Sequence, residues 1–149
     1  MRNSKHLSAG LLAALCAITF GAQSALAVRT DVASVLPKNM NQGTIAADSA
    51  DVTLTAVDTV NNNSVTLEAG MCALIQNSGG SNYTVTFTSV ADDLGRTGDI
   101  TYTLGAGEFA LIGPVTLKGW RQNDGKLYYT GSNAAVKVLF IRPTNPNTP

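Results

Sequence analysis

Histidine is almost missing from this chain of 149 residues. The single one, His6, lies in the first few residues. Without histidine further on, Ser-His-Asp and Cys-His catalysis and imidazole-based metal sites have no donor. Cysteine is nearly as scarce. Cys16 falls in an N-terminal apolar run, and Cys72 stands alone in the rest of the chain, flanked by Met71 and Ala73. No intrachain disulfide is expected, and such apolar flanks suit an inert packed thiol. Charge is sparse as well: 13% of residues are Asp, Glu, Lys or Arg, about half the usual 25%. The basic residues form no cluster, which argues against nucleic acid as a partner. No glycine-rich turn joins a strand to a helix, so no phosphate cradle is indicated. A convincing helical period is also missing after residue 27.

The N-terminus carries a different pattern. Arg2, Lys5 and His6 precede an apolar run from Leu7 to Phe20, and Ala25-Leu26-Ala27 follows. A basic start, a short apolar stretch and small residues one apart form a secretory leader pattern, with cleavage expected after Ala27. The apolar run falls short of the about 20 residues a membrane span needs, so no stable membrane insertion is expected. Leu15 before Cys16 is too large for a lipid-anchor site. Residues 1–27 are therefore read as a signal peptide, 28–50 as an extended arm, 51–142 as the folded domain and 143–149 as a loose proline-rich tail. The arm, with Pro37, Asn39, Asn41 and Gly43, is expected to hold one short strand at most. It would lie over its own domain or reach a neighbouring subunit.

What the chain has in abundance is alternation. Tyr83, Val85 and Phe87 are interleaved with Thr84, Thr86 and Thr88; Ile100, Tyr102 and Leu104 are interleaved with Thr101 and Thr103. Successive side chains of a strand point to opposite faces, so each run has an apolar and a threonine face. Residues 51–57 alternate likewise, with Val52, Leu54 and Ala56 expected inward. Val65 and Leu67 are expected inward in the next strand. Met71 to Gln76 is nearly all apolar, as in a strand covered on both faces, and is expected to form a hairpin with residues 83–90. Turn signals at Asn61-Asn62-Asn63, Ala69-Gly70, Gly105-Ala106-Gly107 and Asn123-Asp124-Gly125 separate about eight short strands. Closing strands follow at 126–130 and 134–141. This spacing predicts an all-β chain, an antiparallel β-sandwich of jelly-roll or immunoglobulin-like type.

Candidate chemistry is thin. Asp92, Asp93 and Asp99 bracket a loop and could offer oxygens to calcium, but the spacing is not that of an EF-hand and Arg96 opposes them. The expectation is a solvated loop and no metal. Glu68 and Glu108 could pair as glycosidase acids only if folding brought them together. Trp120 with Tyr128 or Tyr129 could stack a carbohydrate, a weaker reading than packing at the sandwich edge. Asn62-Asn63-Ser64 and Asn82-Tyr83-Thr84 fit the glycosylation pattern but arise easily in such composition. No catalytic, cofactor-binding or metal residue is assigned, and the protein is read as a non-enzyme.

Taken together, Leu74 to Gly79, Thr84 to Thr88, Gly105 to Pro114, Asn123 to Gly125 and Val136 to Arg142 resemble small structural proteins of tailed bacteriophages, of the head-decoration (cement) or minor capsid type. The matched residues fall in the second half of the chain. In that group an Asn-x-Gly strand end precedes a threonine-valine strand, and a Gly-Glu turn leads to an Ile-Gly-Pro break. The resemblance implies a virion protein that binds and stabilises the head lattice, with capsid subunits or other copies of itself as partners. Translation starting near Val28 suits that reading. If Ala27 is a cleavage site, the alternative is a secreted or periplasmic bacterial surface or matrix protein with the same sandwich.

Overall fold

The alternating runs become strands whose apolar sides face one another. The computed structural model describes residues 28–38 and 44–143. The expected leader (1–27) and residues 144–149 of the expected tail lie outside the described residues. Every regular element among the described residues is a strand: β1 (Thr30–Asp31), β2 (Ser34–Val35), β3 (Thr55–Ala56), β4 (Asn63–Thr66), β5 (Cys72–Asn77), β6 (Tyr83–Thr88), β7 (Ile100–Leu104), β8 (Phe109–Ile112), β9 (Lys126–Gly131) and β10 (Val136–Ile141). They form two sheets. One runs β1-β4-β9-β6-β7; the other runs β2-β10-β5-β8, with β3 also pairing β10. The chain is an all-β sandwich.

Val65, Val85, Phe87, Leu104, Leu127 and Tyr129 of the first sheet meet Met71, Ala73, Ile75, Val136, Val138 and Phe140 of the second in one buried cluster. Tyr129 sits at its centre, edge-on to Phe140 with centroids 5.1 Å apart. Burial holds its phenol well above the usual range. Burying each large aliphatic or aromatic side chain stabilises the fold by about 1.5–3 kcal/mol, which makes this cluster the main stabilising feature.

Several expectations change. The sheets are mixed rather than purely antiparallel, because β1 pairs β4 and β2 pairs β10 in parallel. Both parallel ladders come from the arm and are two residues long, too short for any period to show. Residues 71–76 and 83–90 do not form a hairpin: β5 and β6 lie in different sheets. Nor is β5 covered on both faces; Met71, Ala73, Ile75 and Asn77 are buried, while Cys72, Leu74 and Gln76 are half-exposed. The 51–57 stretch meets β10 only at its end, through the Thr55–Ala56 ladder and a bond from Val57 N–H to Val136 C=O. Its phase is also reversed at the end, with Ala56 exposed and Val57 buried.

The arm closes one side of the sandwich. Thr30 N–H donates to Asn62 C=O and Val32 N–H to Ser64 C=O in the first sheet, and Arg142 N–H donates to Val35 C=O in the second. Val32, between the two short strands, is buried. Over residues 28–38 the arm therefore lies on its own domain. Side chains fasten it further. Thr30 Oγ1 donates to Asp58 Oδ2 at 2.6 Å, Lys126 pairs with Asp31 at 3.1 Å, and the Arg29 guanidinium lies 4.0 Å from the Tyr128 ring centre. Asp58 also accepts from Val60 N–H and from the Asn61 backbone and side chain.

The Thr30 hydroxyl, with the Asn61 and Val60 donors, holds the Asp58 carboxyl far below its ordinary 3.8. Folding thus favours its ionised form. The stability it adds is full above that ordinary value and drains as pH falls below it. Thermal unfolding between neutral pH and about pH 2 should show a shallower acid-side loss of Tm in Asp58→Asn than in the parent. Equal slopes would detach this carboxylate from the arm's anchoring.

At the other side, Asn77 is fully buried. Its amide donates to the carbonyls of Ser81 (2.7 Å), Leu104 (3.2 Å) and Gly105 (2.9 Å), and its Oδ1 accepts from Gly79 N–H (2.9 Å). Asn77→Ala leaves these groups without their partner, a loss of about 3 kcal/mol. Urea titration should show it as a lower midpoint with unchanged slope.

Candidate functional site

The two outer faces differ in character. On the first sheet, Thr84 lies opposite Thr103 and Thr86 opposite Thr101, with the last two hydroxyls hydrogen-bonded at 2.9 Å. That face is a threonine ladder. On the second sheet, Leu111 is in register with Leu74, and Leu74 with Leu139, but Leu139 is buried, so the exposed part of the row is at the β8 edge. Phe109 and Leu111, on the edge strand β8, are 60% and 67% exposed. Isolated exposed apolar residues are ordinary, but a contiguous group on one face marks a contact surface.

The side bounded by β7 and β8 is open. Ile100 and Tyr102 lie opposite Phe87 and Val85. Directly paired residues share a face, and Phe87 and Val85 are buried, so Ile100 and Tyr102 point between the sheets. Yet they remain 47% and 43% exposed. Below them a cleft of about 360 Å³ runs between the sheets, lined by Phe87, Ile100, Ile112, Trp120 and Leu127 among others. Gly113 forms part of its wall with φ 139°, and a Cβ there would come within 2.8 Å of Met71 O. The Ile-Gly-Pro break thus lets the chain leave β8 across the start of β5.

Among the described residues the outer edge of β8 has no ladder partner and carries no charge. Asn77 N–H donates to Glu108 C=O. Antiparallel ladders alternate, so Ala110 and Ile112 face β5, while Phe109 and Leu111 turn their N–H and C=O to the free edge. Edge strands are commonly blunted by lysine, proline or a bulge. From Phe109 to Ile112 the strand has neither charge nor proline.

The polar candidates are dispersed. Asp92 pairs with Arg96 at 2.7 Å, and that hydrogen bond draws its carboxyl below the usual range. Asp93 pairs with Lys118, and Asp99 accepts from Ser89 N–H and Oγ. Each carboxylate serves its own partner, and no group of three metal-ligating side chains occurs among the described residues. Glu68 pairs with Arg142, whereas Glu108 accepts from Gly105 N–H at 2.6 Å. The two acids are thus engaged separately. Tyr129 is core. Tyr128 lies under Arg29, and its hydroxyl donates to Asp124 at 3.0 Å, which raises its pKa. Trp120 packs against the core cluster, and neither cleft that it lines includes Tyr128. Cys72 is a free thiol of intermediate exposure, not the enclosed one expected.

The signal that sequence reasoning missed was in β8. Its Phe-Ala-Leu-Ile run has large apolar residues on both faces, but only a known strand order shows that one face lacks a cover. Comparison with protein-family models, curated proteins and solved structures returned no match.

Because Phe109 and Leu111 are already exposed, Phe109→Ser combined with Leu111→Ser should change unfolding free energy by less than about 1 kcal/mol. Phe140→Ala in the core should cost about 3–5 kcal/mol. Chemical denaturation of the two variants beside the parent checks the contrast. A large loss in the double variant would make this face part of the fold's own support.

Proposed function

We propose that the protein is a non-catalytic structural component that docks through its β7–β8 side onto a protein lattice. The named class we favour is the virion head-decoration type, binding capsid subunits and stabilising the shell. The observation that carries the reading is that both consecutive edge strands leave large apolar residues exposed, Ile100 and Tyr102 on the inner side of β7 and Phe109 and Leu111 on the outer face of β8. Decoration works by burying apolar surface across subunit junctions, and these residues are ready to be buried. The resemblance to phage structural proteins supports the same class. Its Gly105 to Pro114 segment is the strand that carries half of this surface.

The leader pattern over residues 1–27 favours a second reading, a secreted surface or matrix protein that assembles by the same face. Mass spectrometry of purified phage particles and of culture medium separates the two. The virion reading expects peptides of this chain in particles. A chain processed at Ala27, found in medium and missing from particles, overturns it in favour of the second.

A further inference from the structure

Trp120 stands between two adjoining clefts. The first is the slot of about 360 Å³ between the sheets; the second, of about 470 Å³, lies between the 89–98 and 116–120 loops. Thr116 and Trp120 line both. Of the exposed residues named above for docking, only Ile100 reaches either cleft.

The rim is fixed from both sheets. Gly70 N–H donates to Val115 C=O and Val115 N–H to Met71 C=O, which ties the chain leaving β8 to the start of β5. Val90 N–H donates to Gly119 C=O, and the Gln122 side chain donates to Thr88 C=O, which ties the Trp120 turn to the end of β6. Ile112, Val115 and Trp120 pack on the buried core. The walls therefore have little freedom to close on the slot, and an occupant meets a largely formed site.

The two clefts differ in chemistry. Among the described residues no charged side chain lines the first, whose walls include Ala73, Phe87, Ile100, Ile112 and Leu127. The second contains Ser89, Asp92, Arg96 and Lys118, but its charges are already matched, Arg96 with Asp92 and Lys118 with Asp93. An ionic head would leave its hydration for a place that offers it no free counter-charge. A neutral hydroxylated head loses less and meets the spare donors and acceptors of the paired ions. We propose that the joined clefts bind a small uncharged amphiphile, its apolar chain between the sheets against Trp120 and its hydroxyl-bearing head between the loops. Ligand pockets run from about 300 to 1,000 Å³, so the slot takes a short chain or a small ring system and not a long acyl chain. Residues 39–43 and 144–149 read Asn-Met-Asn-Gln-Gly and Thr-Asn-Pro-Asn-Thr-Pro, and neither sequence offers an apolar run to fill it. This site goes beyond lattice docking and stands without it.

Octyl glucoside, added to the purified protein at concentrations where it stays monomeric, tests this. Trp120 is the only tryptophan, so tryptophan emission reports this site alone. The parent's emission should shift to the blue and saturate with a Kd below about 1 mM, and its Tm should rise with ligand. Octanoate and octylamine, with similar chains and charged heads, should bind at least about tenfold more weakly. Ala73→Leu fills the slot from its buried floor and should lose the shift with Tm near the parent value. Ile100→Glu, at a half-exposed position, puts a charge into the slot and should weaken binding at least about tenfold even where Ala73→Leu folds poorly. Phe109→Ser combined with Leu111→Ser, on the outer face, should bind as the parent does. No saturable shift in the parent, equal binding of charged and neutral probes, undiminished binding by Ile100→Glu, or loss of binding in the outer-face variant overturns the proposal. Presence in particles or medium is measured separately, so a failure here leaves the docking reading standing, and the reverse.

Discussion

The buried amide of Asn77 is the constraint on which the open side of the molecule depends. It sits at the end of β5 in the second sheet and binds carbonyls at Ser81, Leu104 and Gly105, around the start of β6 and the end of β7 in the first. A buried polar group without a partner is expensive, and the two hydrogens of this amide are shared among the three carbonyls. Its oxygen takes Gly79 N–H, which bends the chain from one sheet to the other. A Cβ on Gly79 would lie 2.6 Å from Tyr83. The Asn-x-Gly pattern thus leaves room for the Tyr83 ring at the crossing. It holds Leu104 fully buried while leaving the far end of β7, with Ile100 and Tyr102, free to splay.

The opposite side is closed by different means. There the arm crosses between the sheets as two short parallel strands, and Val32 fills the gap between them. Polar contacts at Asp58, Asp31 and Arg29 keep it in place. Most of these are near water and individually weak; the backbone bonds and Val32 do more to hold the strands. Among the described residues one flank is therefore sealed by the arm and the other is not. The unsealed one contains the large exposed apolar strand residues.

Much of this architecture was legible from alternation. Val65, Leu67, Val85, Phe87 and Leu104 are buried as their period required, and the threonine face of β6 and β7 is outward. Three things were not legible. Strand order was one: alternation says which face is inward but not which strand is a neighbour, so β5 and β6 looked like a hairpin. The arm strands were another, because two residues carry no period. The third was exposure at an edge. Ile100 and Tyr102 follow the inward phase correctly, but they lie on the edge strand β7 and stay half-exposed. The open contact surface was invisible for the same reason.

The same reasoning explains the 51–57 stretch. Its sequence has the composition and alternation of a six- or seven-residue strand, yet among the described residues only its end meets β10, through the Thr55–Ala56 ladder and the Val57 N–H bond to Val136 C=O. Local preference and tertiary structure usually agree in a sequence that specifies one fold. Where they disagree, the missing term can lie outside the monomer. Beside β8 the disagreement takes another form: among the described residues the outward N–H and C=O groups of Phe109 and Leu111 have no ladder partner, and the strand carries none of the charge or proline that commonly blunts such an edge.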